Sequence, residues 1–215
     1  MTTRVLIVDD HPAVREGLAI RIASQPDLEV CGEAADVAEA MKRFDASRPD
    51  VVVVDIQLKA SSGLDLVKRI TSRDESARIL VWSMYPDKVY ARRALKAGAL
   101  GYINKEHTTD RLIEAIRCVA DGKVYLCEEM AETLLSQAVG RKQTLPCSPL
   151  ESLSDRELQV FRLIGDGLTT SQVARRLHLS PHTIDTHRQR IKEKLNLASA
   201  AELTQAAIRW VVEGE

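Results

Sequence analysis

Over its first 121 residues the chain alternates short β-rich runs with longer amphipathic stretches, and from Leu153 onward the β-rich runs stop. Few folds accommodate such a change of period. Runs at Val5–Val8, Leu28–Glu33, Val51–Val54, Ile79–Trp82 and Leu100–Ile103 read as strands, with helices expected near 12–24, 36–46, 63–72, 87–97 and 109–120. Alternation of this kind predicts βαβ units and a parallel sheet. Val51–Val54 is apolar at every position, as a strand covered on both faces should be, and is expected at the middle of the sheet. Beyond Leu153 four helical segments follow, near 155–165, 169–177, 181–195 and 199–212. The fold class expected is α/β, a doubly wound five-stranded parallel sheet, joined to a second, all-α domain of four helices.

A chain of 215 residues exceeds one typical domain, in keeping with two compact units. The expected division is 1–121, then 122–152, then 153–215. The middle stretch begins with a helix over Glu128–Val139 and continues as a linker from Gly140 to Ser152, where Pro146, Pro149 and serines interrupt all periodicity. Ser154 with Glu157 three residues on has capping-box spacing, and Pro181 after Ser180 suits the first turn of a helix.

Composition excludes several classes. Thirty basic and 31 acidic side chains nearly cancel, so nucleic-acid or membrane binding is not carried by net charge and any such site must be local. Cysteines 31, 118, 127 and 147 form no CxxC pair, which argues against a disulfide framework or a zinc finger. The apolar run before Asp9 is too short for a signal peptide, and no run approaches the length that spans a bilayer. A cytoplasmic protein without membrane attachment is expected.

In an open parallel sheet, ligands bind beyond the carboxyl ends of the strands. Asp9 and Asp10 follow the first run, Asp55 the third, Ser83 the fourth, and Lys105 comes just past the fifth. One Asp after a strand is more often a helix cap than a ligand. Three on one edge repel each other unless a cation intervenes, and an all-oxygen set with open positions suits Mg²⁺. With Lys105 as an anion donor, the set describes a place where a phosphoryl group is transferred to a carboxylate.

The segments VDDHPAVREGL, VVVVDIQLKASSGLDL, WSMY and GYINKE resemble, in order and spacing, the receiver domain of bacterial two-component response regulators over about residues 3–121. The resemblance implies a flavodoxin-like fold, Asp55 as phospho-acceptor, and Asp10, Asp55 and the Gln57 main-chain carbonyl as direct Mg²⁺ ligands, with Asp9 acting mainly through water. It also implies Ser83 and Lys105 as phosphoryl-oxygen partners, and Tyr102 as the switch aromatic that turns inward when Ser83 moves. The same resemblance implies that Gln57 and Tyr85, two residues past Asp55 and Ser83, flank the route of an attacking water. Lys59 stands where the family usually carries proline, which predicts a less rigid loop.

The carboxyl-terminal segment is neutral overall, but between Leu168 and Leu195 six basic residues face only Asp185 and Glu193. Such clusters suit phosphate binding. A charge run alone is more often a solvated face. Ile184, Ile191 and Leu195 form one apolar stripe able to dock on a helix carrying Val173 and Leu177. The opposite face presents His182, Asp185, Thr186, Gln189 and Lys192, groups able to reach base edges from a helix in the major groove. Arg190 and Lys194 lie on the flanks. LSDRELQVFRLIGDGLTTSQVARRLHLSPHTIDTHRQRIKEKLNL resembles the LuxR-type helix-turn-helix, which implies a scaffold helix 169–177, a recognition helix 181–195 and a dimerising last helix 199–212. Thr183 and Arg188 complete the DNA-contacting set. Asp185 either accepts from a cytosine amino group or pairs with Arg188. Trp210 and Val211 divide between core and interface.

Receiver, linker and LuxR-type module in this order are similar to response regulators of the NarL/FixJ type. The function implied is a transcriptional regulator whose receiver takes a phosphoryl group from a sensor histidine kinase onto Asp55, catalysing only that transfer and its reversal. The module then binds double-stranded promoter DNA as a homodimer. Two rivals are a Mg²⁺-dependent phosphohydrolase and a DNA-binding regulator that uses its receiver only to dimerise.

Overall fold

The computed structural model describes residues 2–58, 61–138 and 149–213. The chain divides into two compact units, Met1–Lys142 and Gln143–Glu215. Lys59 and most of the expected linker lie outside the described residues, as does Cys147; Cys31, Cys118 and Cys127 are free thiols.

The amino-terminal unit is a five-stranded sheet of β1 (Thr3–Val8), β2 (Leu28–Ala34), β3 (Val51–Val54), β6 (Ile79–Ser83) and β7 (Gly101–Asn104) in the order β2-β1-β3-β6-β7. All pairings in it are parallel, and the four-valine strand takes the central place. A short antiparallel pair, β4 (Gln57–Leu58) and β5 (Ser61–Ser62), follows β3. Sequence reading did not separate it, because two-residue strands carry no period.

Pleating sends alternate residues to opposite faces. Val5, Ile7, Val51, Val53, Leu80 and Ile103 form one core with Leu18 and Ile22 of α1 (Pro12–Ala23) and Leu112, Ile113, Ile116 and Val119 of α5 (Thr109–Ala120). Leu6, Val8, Val52 and Val54 point the other way, toward α2 (Val37–Ser47), α3 (Gly63–Arg73) and α4 (Asp87–Ala97). Asp36 starts α2 by accepting the Glu39 amide, as an N-cap should.

Past α5 the chain returns to the sheet. Tyr125 forms a parallel bridge with Gly101, accepting the Tyr102 amide at 3.0 Å and donating its own to Leu100 at 3.1 Å. The helix that follows, α6 (Glu128–Ala138), packs on α4, with Met130 buried and Lys88 3.1 Å from Glu129. This helix therefore belongs to the amino-terminal unit rather than to a free connector.

The carboxyl-terminal unit has a 3₁₀ turn at Pro149–Ser152 and the helices α7 (Asp155–Gly165), α8 (Thr170–Leu177), α9 (Pro181–Leu195) and α10 (Ala200–Glu213). Ser154 and Glu157 form the expected capping box, and Thr169 with Gln172 forms a second. Pro181 occupies the first turn of α9 behind Ser180, whose hydroxyl accepts the Thr183 amide. Trp210 belongs to the core, 3% exposed with its ring 5.8 Å from Phe161. Val211 is half-buried. Among the described residues no helix is long and apolar enough to cross a membrane.

Glycine is required where α3 leaves the β3 end. Gly63 donates to the Ile56 carbonyl at 2.8 Å, and a Cβ there would lie 1.9 Å from the Asp55 carbonyl oxygen. Gly63→Ala is expected to lower stability by about 1–3 kcal/mol, read as a drop in the urea midpoint of the first unit.

Candidate functional site

Register brings the polar strand ends together. Val8 pairs with Val54 and Ser83 with Asn104, so the residues following β1, β3 and β7 emerge on one edge. Backbone bonds lock them: the Asp55 amide donates to Val8 and the Lys105 amide to Ser83, both at 2.8 Å. Arg15 Nη1 donates to the Asp9 carbonyl at 2.6 Å.

Asp9, Asp10 and Asp55 are each 5% exposed or less. Lys105 Nζ lies 2.5 Å from Asp9 Oδ2 and 2.8 Å from Asp55 Oδ2, and 5.0 Å from the centre of the Trp82 ring. Asp9 Oδ1 accepts the His11 amide at 2.8 Å, and Asp55 Oδ1 accepts the Gln57 amide at 3.2 Å. Asp10 Oδ1 is buried and accepts no hydrogen bond. Burial pushes the Asp55 carboxyl up, Lys105 pulls it back and Asp9 adds repulsion, leaving it above the usual aspartate range.

Three carboxylates against one ammonium leave negative charge uncompensated in a dry place. One ligand atom from each of Asp9, Asp10, His11 and Asp55 falls within 4.8 Å of the others. Oxygen donors, excess negative charge and an unsatisfied Asp10 oxygen suit a hard divalent cation such as Mg²⁺.

Ser83 is fully buried, and its hydroxyl has no hydrogen-bond partner. Tyr102 is 1% exposed, with its hydroxyl donating to the Tyr85 carbonyl at 2.7 Å. Burial holds that phenol well above its ordinary pKa, so it donates as a neutral group. Asn104 Nδ2 reaches the same carbonyl at 3.0 Å. Tyr85 stacks on Tyr90 with ring centres 4.5 Å apart.

In the carboxyl-terminal unit Ile184 and Ile191 are fully buried against a helix whose Val173 and Leu177 are also buried, while Leu195 is half-buried. His178, in the left-handed region at φ 53°, closes α8 and begins the turn to α9. On the outer face His182, Asp185, Thr186, Gln189 and Arg190 are exposed. Arg188 and Lys192 are half-buried. Thr183 Oγ1 lies 2.8 Å from the Ser180 hydroxyl, and the Thr186 hydroxyl donates to the His182 carbonyl at 3.0 Å. Gln189 Nε2 donates to Glu193 at 2.9 Å. No ion pair joins Asp185 to Arg188 among the described residues, so i+3 spacing did not produce that contact.

Lys194 has a structural partner. Its Nζ lies 2.6 Å from Glu157 Oε2, whose side chain is buried and also accepts the Ser154 amide at 2.7 Å. Lys194 therefore shares its charge with a carboxylate of the scaffold, while its side chain stays partly exposed.

The model for the response regulator receiver domain matches residues 5–117, and that for bacterial regulatory proteins of the luxR family matches residues 151–207. The chain is a response regulator of the NarL/FixJ type. It is 35% identical over 211 residues to the oxygen regulatory protein NreC of Staphylococcus epidermidis, covering 96% of this chain and 97% of that protein. Over 205 residues it is 35% identical to the DNA-binding transcriptional activator DevR/DosR of Mycobacterium tuberculosis, covering 95% and 92%. Among solved structures, a LuxR-family two-component response regulator from Aurantimonas is 34% identical with a TM-score of 0.60, covering 65% of this chain and 99% of that one. RcsB of Salmonella enterica bound to the promoter rprA shares the fold at TM-score 0.69 and 22% identity, covering 95% and 98%. A response regulator of this family is a DNA-binding transcriptional regulator of a two-component system, not a classical enzyme.

Several residues of this response regulator escaped sequence reading. His11 and Asn104 lie inside the quoted segments next to Asp10 and Lys105, but residue order does not show their side-chain contacts, and Tyr125 reaches Tyr102 through its backbone. Glu157 announced a cap but not its partner on α9.

Burial raises the Glu157 carboxyl, but Lys194 and Ser154 more than offset this and hold it below the usual glutamate range. With the folded-state value below the unfolded one, the contact stabilises above the unfolded value and is lost as pH falls through the folded value. Glu157→Gln is expected to flatten this acid-side loss in thermal unfolding of the second unit. Equal pH slopes in the variant and the parent protein would refute it.

Proposed function

We propose that Asp55 accepts a phosphoryl group from a sensor histidine kinase and that Ser83 and Tyr102 transmit the change toward the DNA-binding unit. An Asp55 oxygen attacks phosphorus, forming an acyl phosphate as the phosphorus–nitrogen bond breaks and the imidazole leaves with the electron pair. Asp10, Asp55 and the Gln57 main-chain carbonyl would hold Mg²⁺, with Asp9 acting through water; the ion supplies charge neutralisation of the phosphoryl oxygens. Lys105 already faces Asp55 and supplies a second positive charge to the incoming oxygens.

The observation that carries the switch is the Ser83 hydroxyl, fully buried without a partner. Such a group costs about 1–3 kcal/mol. A phosphoryl oxygen within its reach removes that cost, giving the modified state the differential contact that any population shift needs. Tyr102 relays it. Its hydroxyl grips the loop after Ser83 through the Tyr85 carbonyl, and its amide grips Tyr125, which leads into α6. Movement of that loop therefore reaches the segment preceding the linker.

On the second unit, α9 enters the major groove with His182, Asp185, Thr186 and Gln189 toward the bases, and Arg188, Arg190 and Lys192 toward phosphates. Thr183 supports the helix start through Ser180. The homodimer on DNA uses Ile208 and Val212 of α10, exposed apolar residues one turn apart; Trp210 is committed to the core.

Two outcomes test the reading. Asp55→Asn is expected to show no stable phosphoryl mass gain with a small phosphodonor and Mg²⁺, while Ser83→Ala takes up phosphate with a smaller gain in DNA affinity. Full gain in Ser83→Ala contradicts the relay.

Gln189→Ala is expected to cost about 1–3 kcal/mol on the preferred DNA site, far less on unrelated DNA, with the salt slope unchanged. Equal loss on both DNAs places the helix in another register.

A further inference from the structure

We infer that His11 is a fourth donor of the cation site at the strand ends, and that it favours divalent ions that accept imidazole nitrogen. The inference rests on Asp10 and Asp55 as cation ligands. His11 occupies the N-cap of α1, with extended backbone and Pro12 in the first turn. An N-cap side chain ordinarily bonds the second or third helical amide. The imidazole makes no such bond.

It turns to the carboxylates instead. Nδ1 lies 2.8 Å from Asp10 Oδ1 and 3.3 Å from Asp9 Oδ1. The shorter approach lacks hydrogen-bond geometry, since Asp10 Oδ1 is buried and has no hydrogen-bond partner. Adjacent donors about 2.1 Å from an octahedral ion stand about 3.0 Å apart, close to the 2.8 Å between His11 Nδ1 and Asp10 Oδ1. Four other carboxylate oxygens already have partners: Asp9 Oδ2 and Asp55 Oδ2 face Lys105, Asp9 Oδ1 accepts the His11 amide and Asp55 Oδ1 accepts the Gln57 amide. An ion on Asp10 Oδ1 meets the imidazole as its neighbouring donor.

The chemical consequence is selectivity. An all-oxygen site suits Mg²⁺, whereas one imidazole in place of a water raises affinity along the series from Mn²⁺ through Co²⁺ to Ni²⁺. With its side chain 60% exposed, the ring supports little packing, so its replacement leaves the fold intact.

Calorimetric titration of the untagged full-length protein with Mg²⁺, Mn²⁺ and Ni²⁺ tests this in the parent, His11→Ala and Asp10→Asn forms. His11→Ala is expected to weaken Ni²⁺ by about tenfold or more and Mn²⁺ by less, while Mg²⁺ changes by under about twofold. The Co²⁺-loaded parent should show a hyperfine-shifted imidazole N–H resonance that His11→Ala lacks. Equal weakening of Mg²⁺ and Ni²⁺ in His11→Ala, or Ni²⁺ affinity unchanged with the shifted resonance retained, overturns the inference. Asp10→Asn separates the two levels: if it binds all three ions as the parent does, the cation site itself is misplaced and the inference falls with it. Normal Mg²⁺ binding that depends on Asp10 but ignores His11 with every ion refutes His11 alone.

Discussion

Buried like charges on one sheet edge need a counter-charge, and Lys105 supplies it by sitting between Asp9 and Asp55. The rest of the first unit makes that placement unavoidable. Parallel register sets the ends of β1, β3, β6 and β7 side by side, and two backbone bonds fix Asp55 to Val8 and Lys105 to Ser83. Gly63 lets α3 start against the Asp55 carbonyl, where any side chain would collide. One ammonium cannot neutralise three carboxylates, so the charge and oxygen donors of the site suit a divalent cation.

Stored polar cost sits beside that charge. Ser83 has a buried hydroxyl with no partner, next in the sheet to a strand whose Tyr102 and Asn104 both hold the Tyr85 carbonyl. Because the Tyr102 amide also belongs to the bridge with Tyr125, one residue joins the loop after the site to the segment before α6.

The second unit is organised by α7. Glu157 closes its own helix start with Ser154 and ties down Lys194 on α9, while Arg156 donates to the Leu177 carbonyl at the end of α8. Gly165 admits α10 so closely that a Cβ would lie 2.4 Å from the Ala207 carbonyl oxygen. With the scaffold held by these contacts, the outer face of α9 is left exposed to solvent.

Much of this was legible from residue order alone. Alternating runs and the four consecutive valines determined a parallel sheet, because a strand without polar residues must be covered on both faces. Asp9, Asp10, Asp55, Ser83 and Lys105 were found because strand ends on one edge follow from that topology, and Ser154, Pro181 and the Ile184–Ile191 stripe because caps and helical period are local. Tertiary structure decided the contacts that join distant segments. Lys194 and Gln189 looked equally free on a helical wheel, yet one meets buried Glu157 and the other a neighbour one turn on. Tyr125 signalled nothing, since its role lies in a backbone bridge that side-chain patterns do not encode. His11 read as part of a motif, and only the fold showed its ring turned from the helix it caps toward Asp10. Local order sets which groups are available, whereas the low dielectric of the interior selects which of them must pair.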